Sequence, residues 1–118
     1  MKPEQRLRTS ADFARVREAA PRGWPHRLLV LYVAPNGLDR ARVGITVSGR
    51  VGKAVVRNRV RRRLREALRA RLARLQPGVD VLVIARPSSA AATWAELESA
   101  LQAMLVRSSA TGKAGAQA

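Results

Sequence analysis

Apolar and polar positions alternate along this chain in six periodic stretches separated by turn residues. In residues 9–20, Phe13 and Val16 form a narrow apolar stripe at helical spacing. Thr9 or Ser10 can cap that helix, and Asp12 stands in its first turn, where a negative charge suits the helix dipole. Pro21, Gly23 and Pro25 stop it. Residues 28–34 (Leu-Leu-Val-Leu-Tyr-Val-Ala) read as a strand closed by Pro35-Asn36-Gly37. Residues 42–48 alternate Val43, Ile45 and Val47 against Gly44, Thr46 and Ser48, a second strand. The intervening residues 36–40 have the length of a hairpin loop.

Gly49 to Gly52 then break the chain before a long helix over residues 53–75, whose apolar positions are Val56, Val60, Leu64, Ala67, Leu68, Leu72 and Leu75. Pro77-Gly78 ends it. Residues 79–85, apolar apart from Asp80, predict a strand buried on both faces. A capping box of Thr93 and Glu96 opens a last helix over residues 93–107, with Trp94, Leu97, Leu101, Met104 and Leu105 facing inward. Residues 108–118 lack periodicity and are expected to form a disordered tail after one domain, 1–107. The order α-β-β-α-β-α predicts an α+β domain, helices packed on a small mixed sheet.

Charge sharpens this picture. Twenty-three Lys and Arg face eight Asp and Glu in 118 residues, a net charge of +15, and a polyanion is the simplest partner for such a chain. Eleven of those basic side chains lie between Arg50 and Leu75 with one acid, Glu66, so +10 of the +15 sits on one element. At 100° per residue, Asn58, Arg62, Arg65 and Arg69 form a stripe opposite the apolar arc. Arg59 and Arg63 lie on one flank and Arg61 on the other, with Arg57 nearer the apolar side. A merely solvated face would alternate signs; like charges three and four apart cost a free helix stability, and a phosphate backbone would relieve them. Arginine's planar fork grips phosphate and stacks on bases.

Other chemistries find little support. Without cysteine there is no disulfide, thiolate site or cysteine nucleophile, and His26 is the lone histidine. The acids are scattered and form neither an acid–base pair nor a metal cluster. Gly49-Arg50-Val51-Gly52-Lys53 looks like a fragment of a phosphate-binding loop, but no Ser or Thr follows Lys53. A GxxG loop that follows a strand also lacks the two-helix setting of KH domains. Phe13 and Tyr32 fit either the core or a stacking platform for single-stranded nucleic acid. No run approaches a membrane span and no apolar signal segment opens the chain, so a cytoplasmic protein with no membrane contact is expected.

Residues 42–69, RVGITVSGRVGKAVVRNRVRRRLREALR, closely resemble the protein subunit of bacterial ribonuclease P. The match centres on Arg57-Asn58-Arg59 and reaches outward through Asp12-Phe13, Leu31-Tyr32-Val33 and Val83-Ile84-Ala85-Arg86. The resemblance implies an α/β sandwich, α-β-β-β-α-β-α, with a left-handed crossover through the basic helix. It therefore implies one more strand, expected near residues 47–51. It also implies an RNA-dependent endonuclease that removes the 5′ leader of precursor tRNA, with catalysis by the RNA subunit, magnesium held mainly by that RNA, and no obligate protein partner. By the same resemblance, Lys53, Arg57, Asn58, Arg59, Arg61, Arg62 and Arg65 would dock on the catalytic RNA. Phe13, Arg17 and Tyr32 would line a cleft for the single-stranded leader, with no catalytic residue on the protein. Two positions depart from the family pattern: Gly49-Arg50 follows Ser48 where Lys-Lys is usual, and Arg17 stands where a second aromatic is common. Two rivals are an RNA-binding module with no dedicated catalytic RNA and a dimeric DNA-binding protein that inserts the basic helix into the major groove.

Overall fold

A computed structural model describes residues 2–20 and 23–111 of the chain. Its elements run α1 (Ser10–Ala19), β1 (Trp24–Pro25), β2 (Leu29–Pro35), β3 (Arg42–Thr46), α2 (Ala54–Arg69), β4 (Val79–Ala85) and α3 (Trp94–Arg107), with four short 3-10 turns between or before them. This is the α-β-β-β-α-β-α order that the resemblance implies. The four strands form one mixed sheet in the order β1-β2-β4-β3.

The sheet corrects one expectation. β2 and β3 do not pair as a hairpin, because β4 lies between them, antiparallel to β2 and parallel to β3. The loop 36–40 therefore spans a strand instead of closing a turn. Asn36 N–H donates to the Gly78 carbonyl, and Gly78 N–H donates to the Arg40 carbonyl, fastening the loop across the start of β4. The hairpin lies upstream, where Trp24 pairs with Leu31 and Pro25 with Val30. This short β1 is the additional strand. Residues 47–51, where it was expected, hold a 3-10 turn at Gly49–Val51 with Val51 buried.

Strand alternation sorts the sheet's two faces. Leu29, Leu31, Val43, Val81, Val83 and Ala85 join Val60, Leu64 and Leu68 of α2 and Leu97, Leu101 and Leu105 of α3 in the larger core. The opposite face, with Tyr32, Ala34, Leu82 and Ile84, packs against Leu7, Phe13 and Val16. Thus α1 covers one face and α2 with α3 the other.

The first and last helices begin as their sequences predict. Thr9 and Asp12 form a reciprocal capping box, as do Thr93 and Glu96. Three expectations change. The basic helix ends at Arg69 and gives way to a 3-10 turn at Leu72–Arg74, because Arg71 turns inward to the Ala67 carbonyl at 3.0 Å and to Gln102 at 2.6 Å. Trp94 is 40% exposed instead of inward. Ser108–Thr111 continue the fold: Ala110 is buried, its N–H reaches the Leu105 carbonyl, and Ser109 takes φ +61°. That is a Schellman ending with serine in the left-handed position glycine usually fills. The remainder of the expected tail, 112–118, lies outside the described residues.

Candidate nucleic-acid interface

Two surfaces carry the residues singled out in the sequence. The first is the outer face of α2. Lys53, Asn58, Arg62, Arg65 and Arg69 are all exposed, and Val60, Leu64, Ala67 and Leu68 on the opposite side are buried. Among the described residues, Arg69 is the stripe's one member paired with an acid, Glu66 at 2.7 Å. Just before the N-cap Lys53, the turn into the helix passes through Gly52, whose φ of +154° and ψ of −167° suit glycine alone.

The flanks of this helix behave differently. Arg59 donates from Nη2 to the Ala90 carbonyl at 2.7 Å, and Arg63 donates from Nη1 to the Ala92 carbonyl at 3.0 Å. Both guanidiniums thus brace the exit of the 3-10 segment Pro87–Ala91, Arg59 at Ala90 and Arg63 at Ala92 just beyond it, where the chain leads into α3. Arg57 folds back to the Gly52 carbonyl at 3.1 Å. Helical angles alone place Arg59 beside the stripe and Arg57 nearer the apolar side, and carbonyls contributed by a distant loop and by the preceding turn hold them. Arg61, on the other flank, donates to the Asn58 side-chain oxygen at 3.1 Å.

The second surface is a cleft of about 420 Å³ between the start of α1 and the sheet. Phe13, Leu82 and Ile84 give it an apolar floor, and Arg8, Thr9, Ser10, Arg17 and Thr46 supply its polar rim. Phe13 lies directly over Gly44: a Cβ there would come within 3.1 Å of Phe13 Cζ and 2.9 Å of Leu7 Cδ1, so any side chain at 44 would push Leu7 and the ring out of their places. Arg17 sits one helical turn after Phe13, its guanidinium carbon 5.9 Å from the centre of the Tyr32 ring. Phe13, Arg17 and Tyr32 are therefore gathered on one face of the sheet, but only Phe13 and Arg17 line the cleft; Tyr32 stands behind Arg17, outside the lining where it was expected. A notch of about 170 Å³, lined by Phe13 and Gly44 on one side and by Arg6, Arg61 and Arg65 on the other, connects this cleft to the α2 stripe.

A buried acid fixes α1 over the sheet. Asp80 is 1% exposed and accepts from Arg42 Nε and Nη2 at 2.9 and 2.8 Å, Asn36 Nδ2 at 2.8 Å and Arg15 Nη2 at 3.2 Å. The bidentate bond to Asp80 holds the Arg42 guanidinium above its ordinary pKa, against the opposing effect of burial. Asp12 stands nearby and is pulled below its ordinary 3.8, chiefly by the Arg8 backbone N–H and then by Thr9 and the Arg42 charge. An acid in an apolar strand marks Asp80 as unusual, but its three partners lie in the loop just after β2, on β3 and on α1, and no local pattern connects them.

Among the described residues, no three His, Asp or Glu side chains come together as a metal site. Asp80 is saturated by cations and an amide, and Asp12 is engaged in its capping box, so neither carboxylate suits magnesium. No described helix is long and apolar enough to cross a membrane.

Comparison with known proteins matches this architecture to one family. The family model described as Ribonuclease P matches residues 1–109. The chain is 45% identical over 105 residues to the ribonuclease P protein component of Herpetosiphon aurantiacus, covering 89% of this chain and 85% of that protein. It is 43% identical over 108 residues to that of Roseiflexus castenholzii, covering 91% and 88%. The solved ribonuclease P protein of Staphylococcus aureus superposes with a TM-score of 0.84 at 28% identity over 92% of this chain and 98% of that one. That of Thermotoga maritima gives 0.77 at 28% over 86% and 96%. The chain belongs to the ribonuclease P protein family, the protein subunits of the ribonucleoprotein endonuclease that removes the 5′ leader of precursor tRNA.

Proposed function

We propose that α2 docks this subunit on the catalytic RNA while the α1 cleft holds the single-stranded leader of precursor tRNA. The observation that carries this reading is the adjacency of two unlike surfaces: a cationic stripe with one internal acid partner, and an apolar-floored cleft lined by Phe13, joined at the Phe13–Arg61–Arg65 notch. A duplex-binding stripe alone would not need the cleft. Unstacked bases suit it, because a base face fits an apolar floor while phosphates remain at the cationic rim.

Lys53, Arg62 and Arg65 present free polar ends to the RNA, Asn58 offers its amide N–H groups while its oxygen holds Arg61 at the junction, and Arg57 and Arg59 stiffen the helix that carries them. Phe13 stacks leader bases, and Arg17, backed by Tyr32, borders them. Magnesium resides on the RNA, whose phosphates supply the oxygen ligands that the protein's engaged carboxylates do not. The protein acts by holding both partners in register, which lowers the entropic cost of bringing the scissile bond to the RNA's active site. Such work belongs in the cytoplasm, beside nascent tRNA.

The test is reconstitution. Purified protein is mixed with a bacterial ribonuclease P RNA and labelled precursor tRNA at low magnesium. Leader release that requires both components is expected. Tight binding to many structured RNAs with no gain in cleavage would support the simple binding module instead.

A further inference from the structure

The cleft departs from a purely aromatic platform at Arg17, and the geometry around that residue limits what it can do. Arg17 and Phe13 lie four residues apart on α1, so both side chains project over the same part of the sheet. The Arg17 guanidinium carbon is 5.9 Å from the Tyr32 ring centre, within cation–π range. Arg17 also lines the cleft, and its guanidinium carries only N–H donors. Among the described residues, the ion pairs of α1 run through Asp12 and Arg15, and Arg17 takes no part in them. Its fork is available to a ligand.

We propose that Arg17 is a specificity-determining residue that reads a guanine in the leader. The inference rests on the leader-cleft reading above. The apolar floor of Phe13, Leu82 and Ile84 accepts base faces, so the strand enters with bases inward and phosphates toward Arg8 and solvent. A donor-only fork beside an inserted purine matches the adjacent O6 and N7 acceptors of guanine. Adenine offers N7 beside an amino donor, and one arm of the fork would then meet another N–H. Stacking area is nearly equal in the two purines, so the difference between them reports the fork and not the platform.

The experiment measures holoenzyme affinity for precursor tRNAs in which each leader position in turn carries guanosine, adenosine or 7-deazaguanosine. The wild type should favour guanosine at one position by roughly tenfold, the scale of one bidentate contact. 7-Deazaguanosine, which keeps the ring but lacks N7, should lose most of that preference. Arg17→Lys, a cation without the fork, and Arg17→Phe, a platform without donors, should both abolish it. The proposal is overturned if no position distinguishes the purines, or if the preference survives in Arg17→Lys. It is also overturned if Arg17→Ala weakens all leaders equally and lowers the salt slope by about one, the signature of a phosphate contact. A leaderless substrate bound as tightly as the full one would remove the leader-cleft reading itself, and this proposal with it.

Discussion

At the scale of single residues, Asp80 and His26 show how much one side chain can hold. Asp80 occupies a buried position in β4, yet four N–H groups from Arg15, Asn36 and Arg42 satisfy it. Removing its carboxylate strands a half-buried Arg42 and frees α1 from the sheet. Asp80→Ala should cost about 3–5 kcal/mol, the range for breaking one side of a buried pair. Denaturant unfolding would measure it, and a loss below about 1 kcal/mol would show that the network contributes little. His26 sits in the β1–β2 turn, where its Nδ1 accepts the Leu28 N–H at 3.0 Å. Burial, and secondarily the Arg27 charge, hold its pKa below the ordinary 6.5. A base whose folded pKa is lowered contributes stability that is present above 6.5 and is lost as pH falls toward the folded value. His26 is the only histidine, so a decline in thermal midpoint between pH 7 and pH 5 is expected to flatten in His26→Asn. An unchanged slope in that variant would assign the titration elsewhere.

At the scale of elements, α2 separates what sequence periodicity can and cannot reveal. The exposed stripe of Asn58, Arg62, Arg65 and Arg69 follows from helical angles alone, and so does the buried arc through Val60 and Leu64. The bracing of Arg59 and Arg63 does not, because their acceptors are carbonyls about thirty residues away, in a segment with no periodic signal. The same physics explains the other differences. β1 is two residues long and includes a proline, too short to show alternation. The apparent β2–β3 hairpin is opened by β4, a long-range insertion that local turn chemistry does not encode. Ser108–Thr111 lack helical pattern but cap α3 through a backbone motif that places serine at positive φ. For the site, periodicity favours the core over a platform for Phe13 and Tyr32, and only the packing of α1 reveals the cleft that Phe13 lines. Two substitutions on α2 separate the roles. Arg62→Ala should leave stability unchanged or slightly raised, since it removes one repelling charge, and should lower the salt slope of RNA binding by about one. Arg59→Ala should cost about 1–2 kcal/mol of stability, as a lost charge-assisted bond does, with the slope unaltered. Thermal unfolding and salt titration of both variants check the pair; the reverse pattern would exchange their assignments.

At the scale of the whole molecule, a charge of +15 on 118 residues sets folding and binding against each other. Like charges repel along α2, where Arg61, Arg62, Arg65 and Arg69 crowd at offsets of three and four, and across to the basic rim of the α1 cleft. In the free protein that repulsion is offset by a few acids such as Glu66 and otherwise by small ions, whose screening length falls from about 30 Å at 0.01 M to about 8 Å at 0.15 M. Added salt weakens the exposed ion pairs as well, but those are few and short in range. The Asp80 network is buried and hardly screened, so the dominant effect is relief of long-range repulsion. Salt should therefore raise the thermal midpoint of the free subunit. RNA binding has the opposite sign, because docking releases the counterions condensed on phosphates, and about six neutralised phosphates give a salt slope of roughly five on a duplex. The same titration, read once by thermal unfolding of the protein alone and once by RNA affinity, should give curves of opposite slope. If salt destabilised the free chain, exposed pairs would outweigh repulsion, and the stripe's cost to the fold would be smaller than its charge implies. If affinity ignored salt, α2 would not be gripping phosphates. Opposed slopes would mean that the fold keeps an electrostatic strain which the RNA partner relieves, so that binding and stability share one source.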